Sequence, residues 1–239
     1  RPVIHYLVDE CVNAGASDIA IVIPPGLPGE QVVRYFDQDV LQEVLPRLTF
    51  IEQPTDGRYG TAIPVLLAQP FINNDYFFLL NADDLMLRFD GGSDLAGMLA
   101  SQQQSGTEAT VGAAIMPGRR ARRYGVLLTA RRARGRVLAG LRDKPGTLPR
   151  GRYRVSVGRM LLPPKFAVHL AGLTANHETG EYQITDALVT FVEHTDVGVV
   201  TLAGRYHDCG EVDGWLAANL RMARHRPDRS TTGSHHAGS

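Results

Sequence analysis

Two adjacent aspartates, Asp83 and Asp84, interrupt the apolar run from Leu79 to Leu87, which reads LLNADDLML. A carboxylate at the end of a buried strand must be solvated, accept backbone hydrogen bonds in the following turn, or bind a cation. Successive side chains of an extended chain point to opposite faces, so the two carboxylates are not expected to hold one metal ion together. We expect Asp83 to face a ligand and Asp84 to cap the turn.

A distant acidic residue is a possible partner for Asp83. In the segment YHDCG, Asp208 again follows a strand-like run. Two carboxylates about 4 Å apart repel by roughly 4 kcal/mol at an effective dielectric constant near 20, so a real pair would imply a bridging cation. His207 and Cys209 flank Asp208, but no further residue completes a metal cluster, and the segment alone is a weak signal.

Two loops carry residue types that suit ligand binding. RDKPG places Asp143 and Lys144 before a proline, and its local sequence alone favours a surface turn. QPTDGRYGTA offers the amide of Gln53, which could read the edge of a base, and Gly60 ahead of a predicted helix start. Glycines before a helix amino end permit a phosphate or a flat base to approach the backbone. Such loops are common, so each is a weak signal by itself.

Eight arginines surround the segment YGVLLTA in two clusters. They are Arg119, Arg120, Arg122 and Arg123 before it, and Arg131, Arg132, Arg134 and Arg136 after it. The clusters could bind phosphate groups. Yet no aromatic residues alternate with them to stack bases, and no helix-turn-helix or zinc-finger spacing accompanies them. A solvated hairpin is the favoured interpretation, and we expect no nucleic-acid partner.

The composition limits the class of protein. The 239 residues contain 25 Lys plus Arg and 25 Asp plus Glu, so the net charge indicates neither a nucleic acid nor a membrane as partner. The two cysteines, Cys11 and Cys209, cannot form a disulfide framework. No apolar run approaches the roughly 18 residues of a spanning helix, and the first residues carry no signal-peptide pattern. We therefore expect a soluble, cytoplasmic protein.

Segments with helical and strand-like patterns alternate along the first half of the chain. Helices are predicted at 2–14, 29–48 and 61–71, and strands at 18–23, 49–53 and 76–81. This alternation indicates an α/β fold with a Rossmann-like, mostly parallel central sheet and helices on both faces. Ligands of such sheets bind beyond the carboxyl ends of the strands. Gln53 and Asp83 should then share one edge, and 76–81 should be a central strand.

The second half of the chain is richer in strands. Strand-like runs are predicted at 108–116, 124–130, 136–144, 152–162 and 197–204, and helices at 163–172, 182–194 and 213–223. The residues after Arg226 are rich in Ser, Gly, His and Thr, a composition typical of a disordered tail. We predict a single domain over 1–226 and a disordered tail over 227–239.

Taken together, these segments resemble the bacterial UTP:glucose-1-phosphate uridylyltransferases, or UDP-glucose pyrophosphorylases, among the sugar-phosphate nucleotidyltransferases. The opening RPVIHYLVDECVNAGASDIAIV is similar to the family's first helix and second strand. The family's later motifs match, in family order, LNADD, YGV, DKP, GEYQITDAL and HDCG. The resemblance implies a nucleotidyltransferase fold with a nucleotide-side half at about 1–106 and a small β-rich, sugar-side half at about 107–226.

The resemblance also implies a reaction. A phosphate oxygen of glucose 1-phosphate would attack the α-phosphorus of UTP and release pyrophosphate, a reaction that depends on positioning and charge neutralisation. Mg²⁺ prefers oxygen ligands and keeps several waters, and on the family pattern its ligands are Asp83 and Asp208. Asp83 and Lys144 are the expected catalytic residues. Substrate contacts are assigned to Gln53, Gly60 and Ala82 on the nucleotide side, and to Gly125, Asp143, Lys144 and Glu181 on the sugar side.

The chain departs from the family pattern in three places. Asp143 stands where the family has Glu, which is one methylene longer. Arg58 occupies a position where glycine is usual, with Gly57 one place early. The family's Gly-x-Gly-Thr-Arg loop would precede Arg1, and this sequence does not contain it. Losing one preorganised donor typically costs about 10²- to 10³-fold in rate, so we expect impaired catalysis by this chain, interpreted as a fragment of an active enzyme.

Two alternatives remain open from the sequence. The chain could be a non-catalytic sugar-nucleotide-binding or regulatory homologue, or a thymidylyl- or guanylyltransferase of the same family. Relatives often assemble, so we also expect a homo-oligomer, either a dimer or a tetramer.

Overall fold

The computed structural model describes residues 1–37, 47–177 and 179–225. The helices are α1 (Val3–Asn13), α2 (Leu27–Phe36), α3 (Ile63–Leu67), α4 (Gln69–Ile72), α5 (Asp94–Ser105), α6 (Gly118–Ala121), α7 (Pro164–Leu170), α8 (Ile184–Phe191) and α9 (Val212–Arg224). The strands are β1 (Asp18–Ile23), β2 (Arg47–Glu52), β3 (Phe77–Leu80), β4 (Asp84–Leu87), β5 (Ala109–Pro117), β6 (Val126–Arg132), β7 (Gly135–Arg142), β8 (Arg152–Leu162), β9 (Val197–Thr201) and β10 (Arg205–Asp208). The predicted tail at 227–239 lies outside the described residues.

Three sheets connect the described strands, and the α/β class is confirmed. The strands β1 and β2 pair in parallel, β4 and β10 pair antiparallel, and six strands form a mixed sheet in the order β3-β8-β5-β9-β7-β6. Within the six-stranded sheet only β5 and β9 are parallel. The other pairs, including β3 with β8 and β6 with β7, are antiparallel.

Among the described strands, the expectation of a mostly parallel central sheet is therefore wrong, because most of their pairs are antiparallel. A parallel pair needs a crossover of a dozen or more residues, whereas two residues suffice for an antiparallel hairpin. Only residues 133 and 134 separate β6 from β7, so this pair is a hairpin. The prediction of a central strand at 76–81 is also wrong for the described strands, because β3 ends the six-stranded order and pairs with β8 alone.

Several predicted elements agree closely with the structure, and others have different ends. The strand β1 has its predicted bounds, and α1 is one residue shorter at each end than predicted. The helix predicted at 29–48 is wrong at its carboxyl end, because Arg47 and Leu48 pair with β1 in the strand β2. The helix predicted at 61–71 is divided into α3 and α4, where Pro70 lacks the N–H that a continuous helix would need.

Helices cover both faces of the six-stranded sheet, as predicted. On one face α7 and α8 bury Phe166 and Leu188 in a large apolar cluster that includes Val111 of β5. On the other face α5 buries Leu95 and Met98 against β8. Each such side chain contributes roughly 1.5–3 kcal/mol when fully buried. No helix in the described ranges is long and apolar enough to cross a membrane.

Candidate functional site

The side chains of Asp83 and Asp208 meet beside Gly210. Asp83 immediately precedes β4, and Asp208 is the last residue of β10, which pairs with β4 so that Asp208 faces Asp84. The pairing continues beyond the strands, because the N–H of Cys209 donates to the Asp83 carbonyl at 2.7 Å. A Cβ placed on Gly210 would lie 3.0 Å from Asp83 Oδ2 and 3.4 Å from Asp208 Oδ1. The structure thus brings together the two carboxylates that the sequence separates widely.

Asp84 is separated from this pair, as strand geometry predicts. Its N–H bonds the carbonyl of Asn81 at 3.3 Å and closes the turn before β4. Its carboxylate is buried, and it accepts hydrogen bonds from the Tyr206 hydroxyl and from Asn81 Nδ2. Burial raises the pKa of Asp84, and the two hydrogen bonds oppose the shift. Asp84 therefore closes the turn from inside the protein, a more buried role than the expected cap.

A buried ion pair supports the same turn from below. The Arg159 side chain is fully buried and lies on β8, where it donates to the Glu10 carboxylate of α1 at 2.7 Å. It also donates to the backbone carbonyl of Asp84. Arg159 was not among the predicted site residues, although it is the one charged residue in VSVGRMLL, the apolar second part of β8, and such a charge is a visible sign of a buried partner.

Tyr124 is a second residue that the sequence predictions missed. Its hydroxyl donates to Asp208 Oδ2 at 2.9 Å. The ring is half-buried and packs edge-on against Tyr206, with ring centres 5.8 Å apart. Burial and the neighbouring Asp208 raise the pKa of Tyr124. The phenol therefore stays protonated at neutral pH and is the donor of this hydrogen bond.

Gly125 and Asp143 extend the site beyond Tyr124. A Cβ on Gly125 would meet Leu141 side-chain atoms at 3.6 Å and Asp143 Oδ1 at 3.8 Å, which are ordinary contact distances. Packing within the protein therefore does not require glycine here. The Gly125 carbonyl accepts a hydrogen bond from the Ser156 N–H at 2.8 Å. Asp208 is thus joined to Tyr124 by a hydrogen bond, and Gly125, which follows Tyr124, lies beside Asp143.

Lys144 directly follows Asp143, and its backbone has an unusual conformation. Its φ is +36°, one of two positive values at non-glycine residues in the described chain. Such a conformation costs about 1–3 kcal/mol and is concentrated at functional sites. Lys144 is exposed, and its ammonium makes no hydrogen bond or ion pair with any described residue. The Lys144 ammonium is therefore available to bind an anionic ligand.

The predicted nucleotide-side residue Gly60 packs against a second loop. Its φ is +120°, and a Cβ there would lie 2.5 Å from the carbonyl oxygen of Tyr182. The Tyr182 N–H donates to the Tyr59 carbonyl at 2.9 Å. Glu181 precedes Tyr182 and accepts a hydrogen bond from Gln183 Nε2 at 2.9 Å. The structure therefore brings Gly60 and Glu181 together, and close packing of the two loops explains why glycine is needed at position 60.

The remaining positions singled out from the sequence are Gln53, Arg58 and Ala82. Gln53 follows β2, and its N–H donates to the Ile23 carbonyl at 2.9 Å. No hydrogen bond between described residues joins its side chain to the carboxylate pair. Arg58, which stands where the family has glycine, bonds Asp56 at 2.6 Å. Ala82 is exposed in the turn before Asp83.

The chemistry of the donor set fits a hard cation. Among the residues described, no three His, Cys, Asp or Glu side chains converge as a metal cluster. Mg²⁺ needs only one or two carboxylates because it keeps several waters. Asp83 is exposed, and no described donor bonds its carboxylate. Burial and nearby carboxylates raise the pKa of the Cys209 thiol, which disfavours a zinc thiolate. The two carboxylates therefore suit an oxygen-coordinated cation.

Comparison with known proteins agrees with the sequence motifs. The nucleotidyl transferase family profile matches residues 1–225. A UTP–glucose-1-phosphate uridylyltransferase of Pseudomonas aeruginosa is 26% identical, and the alignment covers 91% of this chain and 83% of that protein. The protein of the same name from Bacillus subtilis is 26% identical over 93% of this chain and 80% of its own length. These matches confirm the family resemblance.

The fold matches solved structures. A UDP-glucose pyrophosphorylase complexed with UDP-glucose superimposes with a TM-score of 0.84, covering 95% of this chain and 88% of that one. At 24% identity this likeness concerns the fold alone. A structure of UDP-glucose pyrophosphorylase from Acinetobacter baumannii matches with a TM-score of 0.78 at 25% identity, covering 95% of this chain and 84% of that one.

Proposed function

Because this chain belongs to the nucleotidyl transferase family, we propose that it transfers a uridylyl group from UTP to glucose 1-phosphate. The products are UDP-glucose and pyrophosphate. The observation that carries this proposal is the convergence of Asp83 and Asp208 beside Gly210. The names of the relatives that are 26% identical support the choice of substrates.

The proposed reaction exchanges one phosphate bond for another. A phosphate oxygen of glucose 1-phosphate forms a bond to the α-phosphorus of UTP, the bond to the β-phosphate oxygen breaks, and pyrophosphate leaves. The protein contributes mainly by positioning the reactants and neutralising their charge. Lys144 binds the sugar phosphate with its unpaired ammonium. Asp143 accepts hydrogen bonds from the sugar hydroxyls, and Gly125 lets the sugar approach the backbone.

Asp83 and Asp208 are the proposed ligands of Mg²⁺. When bound, the ion neutralises charge on the triphosphate and orients it. The chain supplies one carboxylate from each of two paired strands, and Asp84, on the buried side of the turn, keeps this pairing in register. Gln53, Gly60 and Ala82 are the proposed nucleotide contacts. Glu181 is a proposed sugar-side contact on the loop that packs against Gly60.

Release of pyrophosphate from UTP and glucose 1-phosphate with MgCl₂, measured on the full-length gene product, tests the proposal. We expect turnover that needs both substrates and falls by at least about 10²-fold in Asp83→Ala, the scale of losing one preorganised electrostatic group. Asp75→Ala is the matched control, because Asp75 is also exposed but precedes β3 at its other end. No turnover, or turnover that Asp83→Ala leaves unchanged, would contradict the proposal.

Two further outcomes distinguish the alternatives. Tight binding of UDP-glucose in calorimetry without any turnover would favour a non-catalytic homologue. Faster turnover with dTTP or GTP than with UTP would favour another branch of the family. A dimer or tetramer and a cytoplasmic location stay predictions, and light scattering on the purified chain measures the first.

A further inference from the structure

The Tyr124 side chain hydrogen-bonds one of the two carboxylates of the proposed cation site. Its hydroxyl is the only described side-chain donor to the carboxylate of Asp83 or Asp208. It lies in the turn between α6 and β6, where its N–H bonds the Ala121 carbonyl at 3.0 Å. The phenol thus reaches the carboxylate from a different part of the fold from either strand that carries an aspartate.

The two carboxylate oxygens of Asp208 have different neighbours. Oδ2 accepts from the Tyr124 hydroxyl at 2.9 Å. Oδ1 is the oxygen near Gly210, at 3.4 Å from the position of a Cβ there, and Asp83 Oδ2 lies 3.0 Å from the same position. Rotation of the Asp208 carboxylate would break the bond to Tyr124. The bond therefore keeps one fixed oxygen on the side of Asp83.

The position of Tyr124 is itself fixed by the protein core. Its ring belongs to the same apolar cluster as Tyr206 and packs edge-on against it. The hydroxyl of Tyr206 in turn bonds Asp84, which is opposite Asp208 in the β4–β10 pair. Two tyrosines in contact therefore each hold one carboxylate, one buried under the turn and one at its surface.

We infer that Tyr124 is a positioning residue that fixes the Asp208 carboxylate for a divalent cation shared with Asp83. The inference rests on the proposed function, because it requires that the two carboxylates bind a cation. Partners that hydrogen-bond a metal ligand typically account for 10–100-fold in metal affinity. Tyr124 does not itself touch the cation, and its contribution is the orientation of Asp208.

Binding of Mn²⁺ alone to the purified chain tests this inference, with free Mn²⁺ measured by electron paramagnetic resonance. We expect Tyr124→Phe to raise the Kd about 10–100-fold and Asp208→Asn to abolish binding. Tyr153→Phe is the matched control, because Tyr153 packs in the same cluster but donates to the Pro149 carbonyl at 3.0 Å, away from the carboxylates. Its Kd should equal that of the wild type.

The outcomes separate this inference from the proposed function. If the wild type binds Mn²⁺ and Tyr124→Phe binds it equally well, the positioning role is wrong while the cation site stands. If the wild type does not bind Mn²⁺, the positioning role of Tyr124 and the proposed cation site are both wrong. The thermal midpoint without metal distinguishes positioning from folding, and it should be the same for Tyr124→Phe and Tyr153→Phe. If Tyr124→Phe unfolds at a lower temperature, the Kd for Mn²⁺ is measured on Tyr124→Met, which also lacks the hydroxyl. A wild-type Kd in Tyr124→Met would contradict the positioning role.

Discussion

The carboxylate edge and the nucleotide-side loop are held in place in different ways. Asp83 and Asp208 lie at the ends of paired strands, above the buried Arg159. Gly60, by contrast, lies in a loop that is joined to another loop through Tyr182. Positions on paired strands share the stability of the core, whereas loop positions open locally at lower cost. Substitutions beneath the carboxylates should therefore change fold and cation binding together, and loop substitutions should change them separately.

The largest effect is expected from removing the buried positive charge of Arg159, which lies beneath Asp83 and Asp208. Arg159→Met leaves Glu10 without its partner in the protein interior, and breaking a buried pair in this way costs about 3–5 kcal/mol. We expect the free energy of unfolding in urea to fall by that amount. Mn²⁺ binding should weaken as well, because the Asp84 carbonyl loses its donor.

Two variants sharpen the test of Arg159. Arg34→Ala breaks the exposed pair with Glu30 on α2, and surface pairs of this kind contribute little to stability. The double variant Glu10→Met with Arg159→Met leaves no unpaired charge, so it should be more stable than Arg159→Met alone. Equal losses for Arg159→Met and Arg34→Ala would show that the carboxylate edge does not depend on this ion pair.

A smaller effect is expected in the nucleotide-side loop. Gly60→Ala would place a Cβ 2.5 Å from the Tyr182 carbonyl oxygen at a φ of +120°, and strain of this kind costs about 1–3 kcal/mol. We expect a higher KM for UTP with an unchanged Kd for Mn²⁺, because the carboxylate edge is held by other elements.

Gly57→Ala is the matched control for Gly60→Ala. Gly57 lies in the same loop at a φ of +86°, but a Cβ there would meet nothing within 4 Å. Its loss of unfolding free energy should be smaller, since only the left-handed backbone is strained. If both variants weaken Mn²⁺ binding as much as Tyr124→Phe does, the two regions are not independent.

Short-range patterns in the sequence predicted much of the fold. The apolar period of α1 and the apolar run of β8 gave their positions to within a residue, because both signals are local to the element. The strands β4 and β10 were not predicted, since each has four residues and is stabilised by pairing with the other across more than a hundred positions. The helix α5 was also missed, although Ser93 is a typical N-cap whose side chain accepts from the Ala96 N–H.

The candidate site was predictable only in part, for the same reason. Motif order pointed to Asp83 and Asp208, and the structure brings them together. The contact between Tyr124 and Asp208 spans 84 positions, and no local pattern distinguishes this phenol from one that only packs in the core. Gly60 illustrates the converse. The sequence predicted this glycine from the approach of a base, and the structure adds a second reason for it, because the Tyr182 backbone lies where a Cβ would be.

The smallest expected effect concerns pH and lies away from the carboxylate edge. His5 is buried in α1, where it bonds the Tyr35 hydroxyl at 2.9 Å and stacks on Phe36. Burial lowers the pKa of His5, although Asp9 opposes the shift. The folded state therefore resists protonation, so this contribution to stability is present above the unfolded pKa of about 6.5 and is lost as the pH falls towards the lower folded value.

His5→Gln keeps a polar side chain beside Tyr35 and removes the titration. We expect its unfolding free energy to change less between pH 7 and lower pH than that of the wild type, measured by urea denaturation at each pH. His194→Gln, at an exposed position, is the control for replacing a histidine by glutamine. His5 contacts Tyr35 and Phe36 of α2 and not the carboxylate edge. Tyr124→Phe should therefore raise the Kd for Mn²⁺ by the same factor whether residue 5 is His or Gln. A changed ratio would mean that α1 couples His5 to the carboxylate edge through Glu10 and Arg159.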